Sequence, residues 1–447
     1  MMTTAALLLS VAACSAPGAR VIALEGATVI DGSGAPPAPN TVVLIENGHV
    51  LAVGPAGDVD VPRGAQRVAV AGKTIIPGLI DAHAHVARWA VERYVAWGVT
   101  TVRDMQSPAD SGVALKSDLN LGTILGPRMF SAGPAIDGAP ATDNDATGVA
   151  TAEEARKAVD QRAVAGADYV EIYTRITPAL LAPLMNEAAT LRLSVAARVG
   201  KLDGVTVARA GVVSLEQLSG VVPAAARDGA PYLQAYERFL PGWTLEEEGW
   251  STLDSARVAR TAQTLAETHV AIVPTLALHE MVAHLNDPTL TERPTMADVP
   301  ARAASVRDVA GLLARSGWRP ADFTAFRRAR ARQDQFVREF KRAKGLIAAG
   351  SDAAYPLLVP GAALHDELEL LVAAGLTPLE AIGAATRNAA RLLGADSLGF
   401  LAAGKVADLV VLNANPTDDI AATRDIAWVM LRGRIIQPDS LRRQWRH

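Results

Sequence analysis

Two histidines two residues apart, His83 and His85, are the most chemically pointed pair in the chain. On a β-strand, side chains at i and i+2 share a face, so the two imidazoles can grip one ion together. They end the run Ile75-Ile76-Pro77-Gly78-Leu79-Ile80-Asp81-Ala82-His83-Ala84-His85, whose apolar residues read as a buried strand. A bare His-x-His is weak evidence, because such pairs arise by chance. At the end of the first strand of a repeating α/β pattern it becomes a candidate metal site.

That pattern follows the histidines. Strand-like and helix-like stretches alternate eight times, with strand candidates ending near His85, Asp104, Ser131, Tyr173, Arg198, Gln217, Leu276 and Asp352. Thr151-Ala152-Glu153-Glu154 and Thr377-Pro378-Leu379-Glu380 read as capping boxes that start helices. Leu364, Leu368, Leu371 and Val372 form a stripe at helical spacing and are assigned to the core. Eight βα units in about 320 residues predict an α/β fold of the (β/α)8 TIM-barrel kind. The stretch from His279 to about Arg319, rich in Pro, polar residues and Arg, follows the seventh strand and is expected to lie over the mouth as a lid or specificity loop.

Both chain ends have a different texture. Residues 21–76 carry short β runs, with Asn47-Gly48 marking a hairpin, and 407–412 and 426–431 read as further strands. The expected domains are therefore a leader and linker at 1–19, a composite β-sandwich from 20–77 plus 399–447, and the barrel at 78–398.

The 447 residues are 50% hydrophobic and 20% charged, with a net charge of −4 and a pI near 6.1, which sets nucleic-acid binding aside. The one cysteine, Cys14, rules out an intramolecular disulfide and a thiolate metal cage. It closes the apolar stretch Ala5–Ala13, too short to span a bilayer but fit for an export signal. Val11-Ala12-Ala13-Cys14 resembles a bacterial lipobox, which implies cleavage before Cys14, a lipid anchor on its thiol and, with Ser15 following, an outer-membrane or periplasmic location.

The His-x-His segment is similar to that of the amidohydrolase superfamily, and the chain resembles its imidazolonepropionase/prolidase-like branch of Xaa-Pro dipeptidases and related amide hydrolases. Gly98-Val99-Thr100-Thr101-Val102-Arg103-Asp104, Gly126-Pro127-Arg128, Ala349-Gly350-Ser351-Asp352, Gly361–Leu368 and Gly404–Val410 carry the likeness, which runs from about residue 22 to about 440. Two-metal members use the His pair, a carboxylated Lys on strand 4, one His each on strands 5 and 6, and an Asp on strand 8. The resemblance assigns His83, His85 and Asp352 to that set. It also places Glu171 at the Lys position and Arg198 and Gln217 at the two later His positions.

The implied site keeps what the first metal needs and loses both ligands unique to the second. One divalent ion, Zn2+ by preference, is expected on His83, His85, Asp352 and Glu171, with no second metal. Asp352 is expected to move the proton, and Arg198 with Gln217 to polarise the carbonyl oxygen of a small-molecule substrate. His279 is a candidate substrate contact; His365, Arg103 and Asp104 are assigned structural roles. The expected activity is hydrolysis of an amide or related C–N bond in a dipeptide or N-acyl amino acid, in a chain that assembles as a homo-oligomer if it follows the family. Two alternatives stand beside it. One is a metal-free, ligand-binding lipoprotein in which Glu171 and Arg198 pair with each other; the other is a lyase or cyclase with Arg198 as electrophile.

Overall fold

The computed structural model describes residues 21–445. The leader and Cys14 lie outside them, and no helix among the described residues is long and apolar enough to cross a membrane.

Five strands open the described chain: β1 Ile22–Val29, β2 Ala38–Glu46, β3 His49–Pro55, β4 Gln66–Ala69 and β5 Thr74–Pro77. β2 and β3 form the expected hairpin, with Asn47 and Gly48 at φ of +52° and +77°. Both positive φ values suit a two-residue turn whose twist matches the strands. Nine strands follow in the middle of the chain: β6 Leu79–Ala84, β7 Val99–Asp104, β8 Arg128–Ser131, β9 Ile136–Gly138, β10 Thr147–Val149, β11 Tyr169–Ile172, β12 Ser194–Ala197, β13 Ser214–Glu216 and β14 Ala271–Val273. Three close it: β15 Leu409–Leu412, β16 Ile426–Leu431 and β17 Arg434–Ile436.

The two chain ends meet in one eight-stranded sheet of order β17-β16-β15-β5-β1-β2-β3, with β4 also on β1, where the sequence suggested a sandwich. β5 pairs with β1 on one side and β15 on the other, so the two ends are joined edge to edge. Alternate residues of β1 and β2 feed two apolar clusters. Leu24, Val43 and Ile45 pack with Val411 and Met430, while Ala23, Val42 and Leu44 pack with Val59 and Val61. Apolar cover on both faces of β1 and β2 explains why these strands read as apolar runs rather than as alternation.

The middle strands are parallel, β6-β7-β8 in one run and β10-β9-β11-β12-β13-β14 in another. Backbone hydrogen bonds connect the runs: Asp168 N–H donates to Ser131 O at 2.9 Å. The segment 346–353 closes the circuit. Ala348 N–H donates to Ile272 O on β14, and Ala82 N–H of β6 donates to Ala349 O, with bridges at Ile272–Ile347 and Ala84–Ala353. The eighth strand is therefore present as isolated bridges rather than as a regular ladder.

The ends of the first six barrel strands agree with the sequence reading to within a residue, and the seventh does not. β14 stops at Val273, and Thr275, at φ +45°, turns the chain directly into helix Leu276–His284. Both capping boxes form reciprocally, at Thr151/Glu154 and Thr377/Glu380. The stretch after β14 is not an open loop. It holds helices Leu276–His284, Ala304–Arg307 and Val309–Ser316. With the insertion helix Phe239–Trp250 between β13 and β14 and the long helix Pro320–Arg342, it builds an apolar cluster of its own around Trp243, Met281, Trp318, Phe323, Phe326 and Leu357.

Candidate metal centre

β6 ends on the two histidines. His83 is 1% exposed, whereas the side chain of His85, one residue past the strand, is 34% exposed. Asp352 comes to them from the closing segment, where it adopts φ +57°, a conformation strained for a residue with a Cβ. Buried Asp81 fixes the turn before it, accepting the Ser351 N–H at 2.9 Å and the Ser351 hydroxyl. Burial pushes the Asp81 carboxyl up to about 6, against the pull of its Ser351 and His83 hydrogen bonds.

His83 Nε2 lies 3.2 Å and His85 Nε2 3.0 Å from Asp352 Oδ1. The three donors fall within 4.8 Å of one another. Asp352 Oδ1 is buried yet accepts no well-directed hydrogen bond. Three donors converging on one point, one of them a buried oxygen without a donor, fit a cation better than they fit one another. On its far side, His83 Nδ1 donates to Glu216 Oε2 at 2.8 Å, which fixes the ring so that Nε2 faces the cluster and would take an ion in place of its proton. Burial works against charge on Glu216, but Arg103, 2.9 Å from Oε1, and His83 outweigh it and hold the carboxyl below its ordinary value. Burial likewise opposes charge on the His83 ring, yet Asp352 and Glu216 raise it to about 10. The cluster is thus flanked by two carboxylates, Asp352 and Glu216. Its residues fit a divalent ion.

The other strand ends form a different surface. Arg198, half-buried after β12, donates from Nη1 to the Tyr173 hydroxyl at 2.7 Å. Its guanidinium carbon lies 5.3, 4.8 and 5.5 Å from the ring centroids of Tyr173, Phe239 and Trp243, which stack in a row. Glu171, 2% exposed on β11, stands outside the histidine–aspartate cluster, and its Oε2 has no hydrogen-bond partner. Burial pushes its carboxyl up to about 8. The Glu171–Arg198 pairing that a metal-free site would use is not formed among the described residues, because Tyr173 and the aromatic faces hold the guanidinium instead.

Two expected roles are corrected by the geometry. Gln217, at φ +56°, turns its amide towards Asp352, donating to Oδ2 at 2.9 Å, rather than alongside Arg198. His279 is 2% exposed and makes no surface for a substrate. The early start of its helix swings it inward, where Nδ1 meets Glu247 at 2.7 Å and Nε2 donates to Gln217 O at 3.2 Å. His365 lies between the Thr423 hydroxyl and Trp97 O, and Asp104 accepts from Val86 N–H and the Ser131 hydroxyl.

Sequence reasoning passed over Glu216, Tyr173 and Trp243. Glu216 carried a legible signal, a carboxylate inside the short buried strand Ser214–Glu216. Tyr173 and Trp243 carried none, since their role depends on an insertion folding back. A cavity of about 680 Å3 lies at the opposite mouth, beside Asp168, Ser194 and Ala271 at the strand starts, and holds none of the cluster.

Comparison with known proteins identifies the fold and the family. A protein from Bifidobacterium longum described as a candidate prolidase superposes with a TM-score of 0.70 at 25% identity, covering 96% of this chain and 99% of its own. A Xaa-Pro dipeptidase shares the fold at a TM-score of 0.65 and 21% identity, over 93% of this chain and 100% of the dipeptidase. A 5-methylthioadenosine/S-adenosylhomocysteine deaminase of Symbiobacterium thermophilum is 30% identical over 120 residues, a match that spans 25% of this chain and only 26% of that protein. The amidohydrolase family profile matches residues 74–436, most of the length, and the chain belongs to the amidohydrolase family.

Proposed function

We propose that this chain is a metal-dependent hydrolase on a (β/α)8 barrel, opening an amide or related C–N bond in a small molecule of dipeptide or N-acyl amino acid type. One divalent ion, Zn2+ by preference, would be held by His83, His85 and Asp352. The observation that carries the reading is the convergence of those three donors within 4.8 Å, with Glu216 fixing the His83 ring from behind. Two neutral imidazoles and a carboxylate form the donor set of an open catalytic zinc site. Export with a lipid anchor on Cys14 belongs to the same reading on sequence grounds.

When bound, the ion supplies Lewis acidity, which makes water nucleophilic near neutral pH. The chain's own residues do the rest. Burial opposes charge on Asp352, but His83 and His85 hold its carboxyl well below the usual carboxylate range, so it stays an acceptor. Asp352 takes the proton of the attacking water and returns it to the leaving nitrogen. Gln217 holds Oδ2 and so keeps the carboxylate from rotating during the transfer. The packed helices around Trp243 and Trp318 exclude bulk water.

The test is elemental analysis of protein purified without chelators, beside the variant His83→Ala. About one equivalent of metal, lost in the variant, is the expected result. No metal, even after incubation with Zn2+ or Mn2+, defeats the reading, and two equivalents defeat the single-ion site.

A further inference from the structure

Among the described residues Arg198 makes no ion pair, and Asp352 acts on its charge only through space. Its hydrogen bond among the described residues goes to Tyr173, which burial raises above its ordinary value and so keeps as a neutral phenol. The rings beside it offer quadrupoles rather than a counter-charge. A guanidinium has five N–H donors in a planar fork, and Tyr173 takes one of them. Glu216 is already neutralised by Arg103. A divalent ion on His83, His85 and Asp352 would therefore leave the mouth cationic. A half-buried cation held flat, with free donors and no carboxylate partner, matches the geometry of bidentate carboxylate recognition.

We propose that Arg198 anchors a carboxylate of the substrate, and that the half-buried rings of Tyr173 and Phe239, backed by the buried Trp243, receive an apolar or aromatic side chain next to it. The site would then select N-acyl amino acids or dipeptides with a free carboxylate over their neutral amides. The inference rests on the hydrolase reading for the bond that is cut, and it moves Arg198 from the reacting carbonyl to the far end of the substrate. Arg198 is thereby a specificity residue, and Tyr173 is the positioning residue that sets its plane.

The test compares two probes that differ only in that charge, N-acetyl-L-phenylalanine and N-acetyl-L-phenylalaninamide. Their binding to the protein as purified is measured by calorimetry, with quenching of tryptophan fluorescence as a second signal. The wild type should prefer the acid by about 10- to 100-fold, the range of a charge-assisted pair. Arg198→Met should reduce that preference to about threefold or less with metal content unchanged, and Arg198→Lys should recover part of it as a point charge without the fork. Equal binding of the two probes by the wild type overturns the proposal, as does a preference that survives in Arg198→Met. A weakening of acid and amide by the same factor also overturns it, by placing Arg198 on the carbonyl that both probes share. The metal analysis reports separately: a metal-free chain that still prefers the acid would sink the hydrolase reading and leave the anchor in place.

Discussion

His83 and Arg198 both stand at the ends of parallel strands in one closed circuit, and they are held by opposite means. His83 is fixed by directed polar contacts, from Arg103 through Glu216 to the ring and on to Asp352 and Gln217. Arg198 is fixed by one phenol and three aromatic faces. Directed hydrogen bonds set a ring's tautomer and its distance to an ion within narrow limits, which metal ligation needs. Aromatic faces hold a cation in a plane while leaving its edge free, which suits recognition of an incoming ligand. The two sides of the mouth are therefore built for different tolerances.

Glu216→Gln should break the first side most severely. The amide cannot accept from His83 and pair with Arg103 as a carboxylate does, so the ring loses its fixed tautomer. Metal affinity, measured by competition with a chelator, should fall about 10- to 100-fold. Arg103, 1% exposed, would lose its counter-charge, and unfolding should show a loss of about 3–5 kcal/mol. Unchanged metal affinity would show that His83 is oriented by the strand alone, and the contrast between the two sides would lose its basis.

The second side should reveal itself through pH. Glu246 lies beneath it, accepting from Gly220 N–H at 2.7 Å and from the Tyr236 hydroxyl at 2.6 Å. Burial is the main cause that pushes its carboxyl from 4.5 up to about 7, with Glu247 adding to the rise and the hydrogen bonds and Arg198 opposing it. An acid whose folded pKa lies above its unfolded value keeps its proton longer in the folded chain. Stability is then given up as pH rises from about 4.5 to about 7, by at most on the order of 3 kcal/mol. Denaturant unfolding at pH 5 and pH 8 should show that decline in the wild type and a smaller one in Glu246→Gln. Parallel pH dependences in the two proteins would remove Glu246 as its source. Glu216, held below its ordinary value, has the opposite sign, so the two carboxylates separate the two sides.

The first side was largely legible in the sequence and the second was not, for a physical reason. His83 and His85 lie two apart on one strand, and Asp352 follows a turn of small residues, so local spacing plus a repeating α/β pattern bring them to one end of the circuit. Arg198 and Gln217 were also placed at that end, but their partners were not foreseen. Trp243 comes from a helix inserted between β13 and β14, and no spacing rule says where an insertion packs. The same limit explains His279. Its helix begins at Thr275 in a left-handed conformation, and that turn decides whether the ring faces substrate or core. The strands at the two chain ends suggested a sandwich built from both, but their joining in one sheet through β5 was not legible, because one four-residue strand serves both neighbours.

Glu171 marks the border between the two sides, and its substitution should have the smallest effect. It shares a face of β11 with Tyr173, two residues on, yet it lies outside the cluster of His83, His85 and Asp352. A glutamate is several bonds shorter than a carboxylated lysine, and here its Oε2 ends in a buried position with no partner. Glu171→Gln preserves shape and removes only the capacity for charge. The proposed metal should stay at its wild-type level, with affinity changed by about threefold or less. The acid-over-amide preference set by Arg198 should move little in the same variant. Loss of metal from Glu171→Gln would mean that the side chain swings across to complete a four-ligand set. The border between the ligating side and the aromatic side would then run through Arg198 instead, with the carboxylate of β11 serving the ion rather than lining the wall.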